Sequence, residues 1–327
     1  MKAFWIAAGN GRTNIALRET AQPVAGEHQV LVRVHAAGLN RGELLHEPVA
    51  ADQRATPAKP LGSEAAGEIV AVGRGGDQTR IGERVMGRAR GAFAPYALMD
   101  AREAMTVPAN LSWEQAAAIP LVFAVVYDML VVQGHAAAGE WLLVTGVTSG
   151  VGVGSLQLGK VLGMTVMGTS RSAAKLARLR GQGLDLGLSA TGPGFADQVL
   201  RATNGQGVDL VVNNVGGSVF PECVRALGYE GRLATVGYVD GVFTSEIDLA
   251  ALHRRRLRLF GVSNKMRRVE QRLALLAGLK ADVIPLFASG SIVPLIDSVY
   301  PFDELPAAVE RMDANQHVGK IVVSVGA

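Results

Sequence analysis

The chain has 327 residues, 49% of them hydrophobic and 19% charged. That length suggests two domains, and the composition excludes a disordered chain, which needs low hydrophobicity and high net charge. A net charge of +3 calls for no nucleic-acid partner, and one cysteine excludes an internal disulfide or a zinc site built from several thiolates. Glycine, at 40 residues, is well above its usual share of roughly 7%.

Met1 to Gly9 reads as a first strand and turn rather than a signal peptide. Gln29 to His35 alternates as a half-buried strand does. Gly67 to Gly73 and Gly82 to Gly87 read as further strands. Glycine and proline recur between these runs, which predicts a barrel-like or sandwich-like β unit. Residues 46–60 are polar and carry Pro48, Pro57 and Pro60, the composition of a surface loop. Ser112 is placed to cap a helix that begins at Trp113. The most apolar run, Ala116 to Tyr127, contains Pro120 and falls short of the roughly 20 residues a membrane helix needs. A soluble, cytoplasmic protein is expected, with no membrane partner.

From Trp141 onward, apolar strands alternate with helices. Strands are predicted at Trp141 to Thr145, Thr165 to Thr169, Val208 to Asn213, Arg232 to Gly237 and Leu257 to Gly261. Helices are predicted at Val151 to Leu162 and Ala173 to Arg180. Strands buried on both faces and spaced by helices predict a doubly wound parallel sheet. The tail from Ile292 reads as strand, helix (Glu304 to Met312) and strand (Ile321 to Val325).

The most informative stretch is Thr145-Gly146-Val147-Thr148-Ser149-Gly150-Val151-Gly152. It follows an apolar strand and opens a helix, the setting in which glycines let a backbone approach a pyrophosphate and the helix N-terminus bind it. The same letters fit the short-chain dehydrogenases, but that motif lies near their N-terminus and works with a Tyr-x-x-x-Lys pair. None of Tyr96, Tyr127, Tyr229, Tyr238 and Tyr300 has a lysine four residues on. At the end of the next strand, where an acidic residue would hold the ribose of NAD, stand Ser170, Arg171 and, one turn later, Lys175. Forked guanidinium donors and a lysine charge suit a 2′-phosphate, which favours NADPH.

The order of parts resembles the medium-chain dehydrogenase/reductases. The landmarks are Ala36-Ala37-Gly38-Leu39-Asn40, Gly62-Ser63-Glu64-Ala65-Ala66-Gly67, Gly82-Glu83-Arg84-Val85, Ala117-Ala118-Ile119-Pro120, Gly150-Val151-Gly152, Gln157-Leu158-Gly159-Lys160, Asn214-Val215-Gly216-Gly217 and Gly319-Lys320-Ile321-Val322. The resemblance implies a GroES-like β-rich catalytic domain over residues 1–121 and 266–327, and a Rossmann NADP-binding domain over 122–265. Zinc alcohol dehydrogenases of this family carry cysteine where Asn40 stands and histidine where Ser63 stands. Asn40 is typical of the zinc-independent quinone oxidoreductase branch, which includes enoyl reductases and zeta-crystallin-like proteins. The implied chemistry is hydride transfer from NADPH to a quinone or an activated alkene.

By the same resemblance, Ser149, Gly150, Val151 and Gly152 would face the pyrophosphate. Ser170, Arg171, Lys175 and Lys320 would hold the adenosine phosphate. Asn214, Gly237, Tyr238, Phe260 and Val262 would lie along the nicotinamide half, with Asn40 near nicotinamide and substrate. Val125 stands where relatives often carry threonine, and no tyrosine lies between Asn40 and Pro60 to serve as a proton donor. No general acid is assigned.

Other groups read as parts of the fold: His35 on its strand, Glu64 in internal hydrogen bonds, and Cys223 as a small core residue. The basic run His253 to Arg258 could serve RNA in a zeta-crystallin-like protein, but lacks interleaved aromatic residues, so no nucleic acid is expected. Ser245 to Leu249 is expected as a strand, either pairing across a homodimer or forming a lid.

Overall fold

A computed structural model describes residues 1–9, 12–44, 57–190 and 194–326. Most of the expected polar loop therefore lies outside the described residues, His46 included. The chain divides into two compact units, Met1–Leu121 with Arg272–Ala327, and Val122–Gln271.

The first unit begins with β1 (Lys2–Gly9) and β2 (Arg12–Glu19), which pair antiparallel. Next come β3 (Gln29–Gly38), the one-turn helix α1 (Arg41–Leu44), β4 (Lys59–Pro60), β5 (Glu64–Val72), β6 (Arg84–Arg90), β7 (Tyr96–Asp100) and β8 (Met105–Thr106). β3 pairs with β5, β5 with β6, β6 with β7, and β7 again with β3. The sheet thus closes into a ring around Val30, Val32, Ile69, Val85 and Ala97. On β3 the expected alternation is partial. Arg33 points to solvent, but Leu31 is buried along with its neighbours. Helix α2 (Trp113–Ala117) starts where expected: Ser112 accepts from the Gln115 amide and the Gln115 side chain accepts from the Ser112 amide, a closed capping box. Its Trp113 ring stacks on His35 at 4.5 Å between centroids. Helix α3 (Pro120–Tyr127) follows.

The second unit runs β9 (Trp141–Thr145), α4 (Gly150–Val161), β10 (Thr165–Ser170), α5 (Ala173–Arg180), β11 (Leu186–Ser189), α6 (Ala196–Ala202), β12 (Val208–Asn213), α7 (Phe220–Ala226), β13 (Leu227–Thr235), α8 (Leu249–Arg254) and β14 (Arg258–Gly261). Its six strands are parallel in the order β11-β10-β9-β12-β13-β14. This is a doubly wound sheet whose order reverses beside its first strand, β9. Strand β11 was not expected. It is four residues long with Gly187 inside it, too short and glycine-broken to stand out as a period.

Two expectations are corrected. Ser245 to Leu249 forms no strand: Asp248 accepts from the Ala251 amide at 2.9 Å and caps α8, which starts at Leu249. The return to the first unit falls at Arg272 rather than at residue 266. Arg267 is bound to buried Asp128 of the second unit at 2.6 Å, and Arg272 to buried Glu103 of the first at 2.7 Å.

After α9 (Val269–Asp282) and α10 (Ile284–Ala288), the chain adds β15 (Ile296–Pro301), α11 (Leu305–Asp313) and β16 (Lys320–Ser324). β16 pairs antiparallel with β3 and so brings the end of the chain to its beginning. Cys223 is fully buried among Leu143, Val211 and Leu233, where burial pushes its thiol up and leaves it unreactive.

Candidate active site

The carboxyl edge of the parallel sheet carries the glycine turn. Gly146 follows β9 at φ +59, a conformation that favours glycine, and its amide donates to Thr169 Oγ1 at 3.2 Å. Ser149 caps α4 by accepting from the Gly152 amide at 3.0 Å. The amides of Gly150 and Val151 precede the first intrahelical acceptor and remain available for an anion at the positive end of a 12-residue helix. A side chain on Gly152 would lie 2.6 Å from the Val147 carbonyl oxygen, so the turn fits only with glycine there.

At the adjoining strand end, Ser170 Oγ accepts from the Ser172 amide at 3.2 Å, and Ser172 caps α5. Arg171 is exposed and makes no ion pair with another described residue. Lys175 lies in the first turn of α5.

Further along the edge, Asn213 Oδ1 accepts from Thr145 Oγ1 and from the amides of Val215 and Gly216, all at 3.1 Å. The Asn214 side chain donates to the Thr145 carbonyl at 3.0 Å, so it buttresses the ends of β9 and β12. The Gly237 amide donates to the Asn213 carbonyl at 3.4 Å. Tyr238 is partly exposed beside Phe243, with centroids 5.1 Å apart. Phe260 lies on β14, and the Val262 amide donates to the Thr235 carbonyl at 3.0 Å. Ser149 to Gly152, Ser170, Arg171, Lys175, Asn214, Gly237, Tyr238, Phe260 and Val262 are thus brought to one sheet and its loops. With a glycine cradle and cationic side chains, they fit a dinucleotide that carries a 2′-phosphate.

Lys320 is the correction. It lies on β16 of the first unit, almost fully buried, and its ammonium binds Glu64 Oε1 at 2.5 Å and Asn40 Oδ1 at 2.6 Å. Its charge is committed to that pair, so it is not offered to a phosphate.

The first unit holds a second cluster around Asn40. Asn40 Nδ2 lies 2.9 Å from Glu64 Oε1 and 2.8 Å from Glu43 Oε1. Glu64 is fully buried and fully partnered, because its Oε2 also accepts the Leu121 amide at 2.8 Å. Gly38 makes room for the cluster: a side chain there would lie 2.5 Å from Glu64 Oε1 and 2.8 Å from the Lys320 side chain. Glu43 is the functional candidate that sequence reasoning missed. Its Oε1 accepts from Asn40 and from the Ser63 hydroxyl, while its Oε2 is buried with no partner. Burial pushes its carboxyl up to about 7 and Glu64 pushes the same way, against the Ser63 and Asn40 hydrogen bonds and the Lys320 charge. The Asn40-x-x-Glu43 spacing, one helical turn, was the available signal.

The basic run is partly structural. The Arg255 guanidinium donates to the carbonyls of Val224, Arg225 and Leu227, and Arg256 pairs with Glu230 at 3.2 Å.

A doubly wound parallel sheet and a closed β unit on one chain are the two domains of the alcohol dehydrogenase architecture. Comparison with known proteins agrees. The alcohol dehydrogenase GroES-like domain family matches residues 26–109, and a family described as zinc-binding dehydrogenase matches residues 182–323. The polyketide synthase GfsB of Streptomyces halstedii is 39% identical over 159 residues, 49% of this chain and 3% of that protein. A quinone oxidoreductase of Pongo abelii is 32% identical over 154 residues, 46% of this chain and 47% of that protein. The chain thus spans less than half the length of these relatives. Among solved structures, mycobacterial Rv1454c complexed with NADPH is 25% identical with a TM-score of 0.87, covering 99% of this chain and 100% of that one. The JamJ enoyl reductase is 25% identical with a TM-score of 0.83, covering 95% of each. The chain belongs to the medium-chain dehydrogenase/reductase superfamily. Among the described residues, no helix is long and apolar enough to cross a membrane.

Proposed function

We propose that this protein is a zinc-independent, NADPH-dependent reductase that delivers hydride to a quinone or another electron-poor acceptor. The observation that carries this reading is the donor set around Asn40. Where zinc relatives place a thiolate and an imidazole, this chain has an amide and a hydroxyl, both already hydrogen-bonded to Glu43, Glu64 or Lys320. Neither is a good zinc ligand, so an alcohol oxygen would lack the Lewis acid that dehydrogenation needs. An electron-poor acceptor needs only positioning and a proton.

Bound NADPH would supply the hydride. The Gly150 and Val151 amides would hold its pyrophosphate, and Arg171 with Ser170 and Lys175 its 2′-phosphate. Asn214, Gly237 and Tyr238 would border the nicotinamide half. The similarity to Rv1454c with NADPH and to a quinone oxidoreductase supports both assignments. A second reading, reduction of an α,β-unsaturated carbonyl or thioester, is supported by the similarity to the JamJ enoyl reductase. Initial rates of NADPH oxidation with naphthoquinone, short enones and an enoyl-CoA separate the two. The quinone reading expects the highest kcat/KM on naphthoquinone, and a hundredfold preference for the thioester would replace it with the second. NADPH binding without turnover on any acceptor would instead point to a non-catalytic role.

A further inference from the structure

The first unit sets two carboxyl groups side by side and treats them differently. Glu64 meets a lysine ammonium, an asparagine amide and the Leu121 amide, and no oxygen of it is left over. Glu43 meets only neutral donors, both on Oε1. Its Oε2 is shielded from water and faces no donor among the described residues. An ionised carboxylate with one buried, unpartnered oxygen is costly, whereas a protonated Oε2 is an O–H group that awaits an acceptor. A carboxyl with one oxygen held by donors and the other buried and unpartnered, beside a carboxyl that is fully hydrogen-bonded, has the geometry of a proton donor.

We propose that Glu43 is the acid that protonates the acceptor, with Oε2 as the donor atom and a carbonyl oxygen of the substrate as its target. The assignment rests on the reductase reading above. The acceptor gains a hydride from the reduced dinucleotide and becomes an oxyanion, either an enolate or a hydroquinone anion. The Glu43 O–H bond breaks, an O–H bond forms on the substrate oxygen, and the Glu43 carboxylate recovers its proton from water admitted as the product leaves. Ser63 and Asn40 hold Oε1 and so fix the direction of Oε2. The charged groups that face Glu43 from neighbouring described elements are Glu64 on β5 and Lys320 on β16, which already offset each other. Arg41, on the same short helix, is turned to the Met312 carbonyl and to Asp313. This also accounts for the missing tyrosine between Asn40 and Pro60, because the proton comes from α1 itself.

The test begins with the cofactor-free protein. Infrared titration in D2O is expected to show one protonated carboxyl band that disappears with a midpoint near pH 7, and Glu43→Gln is expected to lack that band. With NADPH and an acceptor that wild type reduces, kcat is expected to fall above pH 7. Glu43→Gln should lose about a hundredfold in kcat, the lower range for a general acid. It should also lose the alkaline limb while its NADPH dissociation constant stays within twofold. Should Glu43→Gln not fold, Ser63→Ala serves, because loss of that hydrogen bond moves the alkaline limb to higher pH. A Glu43→Gln enzyme with the wild-type rate and pH profile, or a Ser63→Ala limb that does not move, overturns the proposal and leaves the reductase reading intact. A wild-type protein that binds NADPH yet reduces no acceptor overturns both.

Discussion

In the proposed function, Arg171 would carry the distinction between the two nicotinamide cofactors in a single side chain. It is exposed beside a capped helix start, and a charge-assisted hydrogen bond to phosphate is worth about 1.5–3 kcal/mol. Arg171→Ala is therefore expected to weaken NADPH binding by roughly 10- to 100-fold and NADH binding little, as titration calorimetry would show. NADH bound more tightly than NADPH by wild type would remove the assignment. Glu43 makes a prediction about folding as well as catalysis. Its folded carboxyl holds a proton up to about pH 7, while the unfolded chain releases it near the ordinary glutamate value. Stability must fall as pH rises between those values and level off above the higher one, with a penalty on the order of 3 kcal/mol. Glu43→Gln has no proton to release, so urea denaturation should find it gaining on wild type between pH 5 and pH 8. That Ser170, Arg171 and Lys175 lie together at a strand end and helix start was legible because they are neighbours in sequence. The Glu43 environment was not, because Ser63, Glu64 and Lys320 reach it from β5 and β16, far along the chain.

Among elements, the parallel strands of the second unit were legible because long apolar runs buried on both faces need no partner to be recognised. Strand β11 escaped because four residues around a glycine carry too little pattern. The expected strand at 245–249 failed for a local reason, since an aspartate three residues before an amide it can cap starts a helix instead. The capped helix α2 gives a direct check. Ser112→Ala opens the capping box and is expected to cost about 1 kcal/mol, read as a lowered thermal midpoint of the first unit. The buried pair joining β16 to β5 is under greater stress when broken. Lys320→Met would leave Glu64 without its cation, a loss of roughly 3–5 kcal/mol for a buried pair. NADPH affinity should change little in that variant if its fold survives, since Lys320 is committed to Glu64 and Asn40.

At the scale of the whole molecule a homodimer is proposed, and light scattering after size exclusion should then return twice the 34.2 kDa chain mass. A monomer at micromolar concentration would discard that expectation without touching the chemistry. The two-unit division was legible in the shift from glycine-punctuated strands to alternating strands and helices. The place of return was not, because one continuous helix, α9, crosses it and only the partners of Arg267 and Arg272 distinguish its sides. The pairing of β16 with β3 has a consequence for synthesis. A chain leaving the ribosome presents the ring strands first, but the strand and the lysine that complete their buried cluster, at Lys320–Ser324, emerge long after the last ring strand ends at Asp100. The second unit has all its strands well before then, so it can fold while the first waits. Pulse proteolysis of stalled nascent chains ending near residue 315 should find the nucleotide unit protected and the amino-terminal unit still cleavable.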